Sequence, residues 1–267
     1  MLRTHASVSA WLPVLEPFLP ELVLLGGRAS ELYHLALLER RAPAHPEAWT
    51  FFGSERGGSH PKGLAEHLKA RGFQKRTPDA PGAVPGPAYF RGDLGWVQFL
   101  CPKVRPGQTV SGKGLAAVPE PYVHLELAEP HPVEVTSLGR SYEVNIPAAG
   151  RFVLANALRL PTHTRREPTH LYAAARSLGW LLELLAKNEE LEEEALGDLL
   201  EVRPPSLLRE LRERLKLHGP GSPVWTSAVR LLESAGSSVK PVALETWHWK
   251  FLPKLVKLEE ERRKASE

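Results

Sequence analysis

A change of texture near residue 147 divides this sequence. Before it, short apolar runs rich in β-branched and aromatic residues alternate with glycine- and proline-rich turns; after it, apolar residues recur at helical spacing. The pattern predicts an α/β (α+β) chain in two parts, a mixed sheet with helices over residues 1–147 and a helical bundle over 148–267. With 267 residues and 42% hydrophobic content, the chain can bury the core that such a fold needs, and this excludes a disordered polypeptide.

Residues 9–19 carry Trp11, Leu12, Leu15, Phe18 and Leu19 at helical spacing, broken by Pro13 and Pro17, so a short helix or broken turn is expected. Residues 22–25 are a continuous apolar run ending in Gly26 and Gly27, and a helical pattern follows over 28–41, which reads as strand, glycine turn, helix. A buried strand is expected at 48–52, and a helix at 61–71 stopped by Gly72. Residues 77–87 and 102–115 read as loops. Strands are expected at 88–91 and 96–101, joined through 92–95, and again at 123–127, 133–136 and 142–146. The helices expected beyond are 152–160, 170–186, 191–200, 206–217, 224–234 and 244–263.

No run of about eighteen apolar residues occurs, and prolines and glutamates interrupt the first twenty-two residues, so neither a membrane span nor a signal peptide is expected, and the location expected is cytoplasmic. A single cysteine, Cys101, excludes an intramolecular disulfide framework and a thiolate-rich metal site. One Met, one Ile and three Asn against 25 Pro suit a thermophile, and a GC-rich genome gives the same bias. The 34 basic and 31 acidic side chains leave a net charge of +3, a weak pull toward acidic partners.

The segment Leu22-Val-Leu-Leu-Gly-Gly-Arg-Ala-Ser-Glu-Leu-Tyr33 resembles the opening of polymerase-β-type nucleotidyltransferases, in which a strand ends in Gly-Gly or Gly-Ser and runs into a helix. Tyr89-Phe-Arg-Gly-Asp-Leu-Gly-Trp-Val-Gln-Phe-Leu-Cys-Pro102 is similar to their third strand. Glu143-Val-Asn-Ile-Pro147, Phe152-Val-Leu-Ala-Asn-Ala-Leu-Arg159 and Arg165-Arg-Glu-Pro-Thr-His-Leu-Tyr-Ala-Ala174 resemble a later passage of the same proteins. The likeness covers residues 22–185 and points to uncharacterised nucleotidyltransferase-like proteins grouped with antitoxin-type and abortive-infection-type transferases. It implies a mixed-sheet nucleotidyltransferase-like core followed by the helical domain. Active members hold two divalent cations with a D-x-D pair on the second strand and a third carboxylate on the next, because the metals neutralise the triphosphate and activate the attacking hydroxyl. Here those positions fall on Ala48, Thr50 and Gln98, and the Lys and Asp of the later passage fall on Asn156 and on Thr169 or His170.

The resemblance therefore implies a catalytically degenerate protein with no resident metal, binding a nucleotide, a nucleic acid or a protein partner between sheet and helices. Gly26, Gly27 and Arg28, with Arg159, Arg165 and Arg166 at the junction of the halves, are the phosphate-binding candidates, since backbone amides at a helix start and guanidinium groups suit phosphate oxygens. Two alternatives stand beside this. An active magnesium-dependent transferase would use Glu47, Glu55 or Asp93 in an altered acidic site, with strand alternation pairing Glu47 with Trp49 on one face and Ala48 with Thr50 on the other. A structural subunit of a complex would bind a protein through its C-terminal helices, and the cluster Trp247-His-Trp249-Lys-Phe251 would then dock the last helix rather than stack on single-stranded nucleic acid. Eleven histidines, including His163 and His170 near Glu167, show no metal-site spacing. No serine lies in a G-x-S-x-G elbow, and Cys101 reads as a core thiol.

Overall fold

The computed structural model describes residues 8–38, 49–53, 61–77, 86–102, 115, 117–163, 181, 184–185 and 187–201, with single positions 226, 257, 261, 264 and 265. The chain divides into two compact units, Met1–Pro147 and Ala148–Glu267. The helices expected at 206–217, 224–234 and 244–263, and most of that at 170–186, lie outside the described residues. Among the described residues no helix is long and apolar enough to cross a membrane.

The first unit is built on a mixed eight-stranded sheet. It opens with α1 (Val8–Leu15), which passes into a 3-10 helix, Glu16–Glu21, as Pro17 and Pro20 rule out further α-helical hydrogen bonds. Next, β1 (Val23–Leu25) is buried at every residue, as a strand covered on both faces must be. It leads directly into α2 (Gly26–Leu38). The expected glycine turn is reduced to one residue: Gly26, at φ +64°, makes the change of direction at the point where the helix begins.

After β2 (Trp49–Gly53) comes α3 (Leu64–Ala70), which ends as expected at Gly72, where φ is +83° and Phe73 N–H donates to Leu68 O. Three further strands follow, β3 (Gln74–Arg76), β4 (Ala88–Arg91) and β5 (Gly95–Pro102). The hairpin of β4 and β5 matches the sequence reading. Strand β3 was not legible, since all three residues are exposed and an edge strand with no buried face carries no apolar alternation.

The strand expected at 123–127 is instead a one-turn helix, α4 (Val123–Leu127), and the strand of this region is β6 (Ala117–Glu120). Val123, Leu125 and Leu127 alternate as a strand would, but in five residues that pattern also fits one helical turn, and Tyr122 at φ +64° turns the chain out of the sheet just before it. The sheet closes with the hairpin of β7 (His131–Ser137) and β8 (Arg140–Ile146), whose two turn residues, Leu138 and Gly139, have φ +50° and +75°.

The strand order is β3-β4-β5-β2-β1-β8-β7. One edge of β5 pairs with β2, while the other is shared, its first half with β4 and its second with β6. On one face α4 covers Val23, Leu25, Leu100 and Val118 through Val123 and Leu127. On the other, Phe52 stacks with Phe99 at 6.3 Å and Tyr89 meets Phe99 edge-on at 5.9 Å. Helices α1 and α3 join through Trp11 and Phe73, 5.4 Å apart, and through His67 Nε2, 2.7 Å from Val14 O. Asn145 on β8 donates from Nδ2 to the carbonyls of Leu19, Pro20 and Leu22, which ties the 3-10 helix to the sheet.

In the second unit α5 (Ala149–His163) lies against α6 (Glu189–Glu201). Asn188 caps α6 by accepting from Leu191 N–H at 3.1 Å, and Glu189, Glu190 and Glu192 in its first turn suit the positive end of the helix. The two helices approach closely at Gly150, where an added Cβ would lie 2.2 Å from Ala195 O. Asp198 accepts from Gly150 N–H at 3.4 Å, and burial holds its carboxyl above the usual range.

Candidate functional site

The junction of β1 and α2 is built from small residues for a steric reason. A side chain at Gly26 would be strained by the left-handed backbone, and its Cβ would meet the Phe51 ring at 3.4 Å. Gly27 O accepts from Ser30 Oγ at 2.8 Å, which fixes the first turn of the helix. Arg28 does not project from this turn as an exposed phosphate ligand. It is 5% exposed, and its Nη1 donates to both carboxylate oxygens of Glu31, at 3.0 and 2.8 Å.

Strand register decides which side chains can converge near this junction. Leu25 lies opposite Phe51, and Phe51 opposite Gln98, so these three share the face that α4 covers further along the sheet. Thr50 lies opposite Val97 and belongs to the other face. The expected set Ala48, Thr50 and Gln98 therefore cannot converge on one ion, because Thr50 and Gln98 are separated by the sheet itself. The β2 positions that share a face with Gln98 are Trp49 and Phe51, one residue out of step with the sequence-based alignment. A one-residue change of register inverts every side chain on a strand, and no carboxylate within Trp49–Gly53 fixes the choice.

Gln98 is fully buried and its Nε2 donates to Pro87 O at 3.4 Å. Thr50 is 1% exposed and Asn156, on α5, donates from Nδ2 to Phe152 O at 2.9 Å. Asp93 lies in the β4–β5 turn, where Arg91 donates to Oδ1 and Oδ2 at 2.6 and 2.8 Å. That hydrogen bonding holds the Asp93 carboxyl below the usual carboxylate range and engages both of its oxygens. Arg159 is 7% exposed on α5, within the second unit. Ala48, Glu47, Glu55, Arg165, Arg166, Thr169 and His170 lie outside the described residues.

The described donors do not fit a two-metal transferase centre. An aromatic ring and a single amide stand on the shared face of β2 and β5, where a two-metal centre relies on carboxylates to balance the charge of its cations. Among the described residues no group of three or more His, Cys, Asp or Glu side chains can hold a metal ion. Cys101 is fully buried at the end of β5, and burial pushes its thiol above its ordinary value, the state of a core residue rather than a nucleophile.

The sequence reading missed an aromatic row on this same face. Gln74 lies opposite Phe90, Phe90 opposite Trp96, and Trp96 opposite Trp49, so one line crosses β3, β4, β5 and β2. The signal was present as Trp49, Phe90 and Trp96, but only strand pairing brings them level. Set against models of protein families, against curated proteins and against solved structures, the chain matches none of them.

Proposed function

We propose that this chain is a nucleotidyltransferase-like protein that has lost transfer chemistry and serves as a binding module for a phosphate-bearing ligand, a nucleotide or a nucleic acid. The observation that supports this reading best is the pairing of Phe51 with Gln98 beside Gly26. A left-handed glycine opens a helix at the end of a buried strand, in the order the resemblance implies, while the side chains level with the preceding Leu25 on the next two strands are an aromatic ring and an amide. A ring and a neutral amide supply none of the carboxylate charge that holds two cations against a triphosphate, so a site of this composition suits recognition rather than phosphoryl transfer. Arg159 is buried on α5 and is assigned to the support of that helix, while Arg165 and Arg166 are the guanidinium groups this reading assigns to a phosphate. Arg28, buried against Glu31, is assigned to the support of α2.

Calorimetric titration with ATP, GTP, CTP and UTP, each with and without magnesium, tests the reading. Binding of one or more nucleotides with an affinity that magnesium leaves unchanged is expected. Binding that appears only with magnesium would return the protein to the active transferases and direct attention to Glu47 and Glu55. Binding of none would favour a structural subunit that engages a protein partner.

A further inference from the structure

Positive charge gathers at the corner of the sheet where α3 meets β3 and β4. Residues 61–77 carry five basic side chains, Lys62, Lys69, Arg71, Lys75 and Arg76, against one acidic, Glu66, so this stretch alone exceeds the +3 of the whole chain. All five are exposed. Lys69 and Arg71 stand at the close of α3, where Gly72 N–H donates to Lys69 O at 3.0 Å. Gln74 lies opposite Phe90, which sets Phe73 level with Arg91; the Arg91 guanidinium lies 5.0 Å from the Phe73 ring centroid, and its Nη1 donates to Arg71 O at 3.1 Å. Lys75, two residues beyond Phe73 and opposite Tyr89, belongs to the same face as Arg91. Lys69, Arg71 and Lys75 thus share one corner, whereas Arg76 lies over Phe90 on the other face.

The structural uses of a cation at this corner are already met. Arg91 donates to a carbonyl at the end of α3, with Asp93 balancing its charge, and Arg76 already charges the free edge of β3. Among the described residues no acidic side chain pairs with Lys69, Arg71 or Lys75. The apolar side chains beneath them are closed off, Leu64 and Leu68 being fully buried and Phe73 and Tyr89 each 4% exposed. No described ring at this corner is open to an unpaired base, and no described apolar side chain can enter a bilayer, without which three cations hold a membrane weakly. What the corner presents is charge. That is complementary to a duplex, whose backbones carry one negative charge per ~1.7 Å of axis and whose base faces are hidden.

We infer that this corner is a docking surface for the phosphate backbone of double-stranded nucleic acid, met without regard to sequence by Lys69, Arg71 and Lys75. The inference stands apart from the transferase-like reading, since it uses none of Gly26, Gly27, Arg165 or Arg166. It can fail while nucleotide binding succeeds, and the reverse.

Fluorescence anisotropy with a labelled DNA duplex of about 20 base pairs, two turns of the helix, tests it on the full chain. Two duplexes of unrelated sequence are expected to bind alike, with log affinity falling against log salt at a slope of about −2.7, as three phosphate contacts require. Lys69→Gln, Arg71→Gln and Lys75→Gln are each expected to reduce that slope by about 0.9 at an unchanged melting temperature, and the triple variant to lose binding. Arg140→Gln, on β8 towards the opposite edge of the sheet, is expected to keep it. A single strand of the same length and phosphatidylserine vesicles, at the same ionic strength, are expected to bind more weakly than the duplex. No binding at low salt, binding of the single strand or the vesicles as tight as that of the duplex, or an equal loss in Arg140→Gln would overturn the inference. Wild-type affinity in the triple variant would also overturn it, and loss in the Arg165→Gln, Arg166→Gln double variant instead would assign the duplex to the site of the transferase-like reading.

Discussion

Leu138 shows how one residue can oppose the fold around it. It is the first of two left-handed residues in the β7–β8 turn, at φ +50°, and it is 89% exposed. A two-residue turn with both central φ angles positive matches the twist of the paired strands, but it favours Asn-Gly over Leu-Gly, because a branched side chain pays about 1–2 kcal/mol in that conformation. Burial returns nothing at this position. Leu138→Asn is therefore expected to stabilise the protein by about 1 kcal/mol, read as a higher urea midpoint at unchanged slope; a lower midpoint would mean that Leu138 makes a contact worth more than its strain. Gly26 is the opposite case, a residue suited to its angle, at the point where β1 becomes α2. The sequence made Gly26 conspicuous as part of a Gly-Gly pair, yet it did not tell a turn before the helix from the first residue of the helix. The difference is one φ angle, and glycine adopts either sign with equal ease.

Elements were legible in proportion to the burial contrast along them. Strands β1, β4, β5, β7 and β8 were expected close to where they lie, because each carries apolar residues bounded by turns. Strand β3, Gln-Lys-Arg with no inward side chain, could not be seen, and α4 was mistaken for a strand because Val123, Leu125 and Leu127 alternate within a single turn. Helix packing has a similar hidden determinant at Gly150. Nothing in the sequence marks this glycine as a contact, but an added Cβ would meet Ala195 O at 2.2 Å and Asp198 Cβ at 2.8 Å. A backbone carbonyl cannot move aside as a side chain can, so α5 and α6 would have to separate. Gly150→Ala is expected to cost about 2–3 kcal/mol, in spite of the better helix propensity of alanine. Thermal unfolding of the variant checks this, and an unchanged melting temperature would show that the two helices yield without loss.

For the molecule as a whole, the texture of the sequence foreshadowed a mixed α/β fold, and the structure has a mixed eight-stranded sheet with helices. The candidate site was legible only in part. Gly26, Gly27 and Gln98 were named from sequence and lie near the end of β1 or two strands further on, whereas Thr50 belongs to the opposite face, Asp93 is held by Arg91 in a surface turn, and Arg28 is committed to Glu31. Register and ion pairing are properties of neighbours in space, and no single strand encodes them. The proposed function supposes a transferase-like frame that has lost its transfer chemistry. Its most direct test is to incubate the protein with magnesium and each nucleoside triphosphate labelled at the α-phosphate, with RNA and protein acceptors, while following pyrophosphate release. The account predicts no label transferred to any acceptor and no pyrophosphate above the protein-free control. Magnesium-dependent release that disappears in Glu47→Gln or Glu55→Gln would contradict it and establish an active site built from those carboxylates.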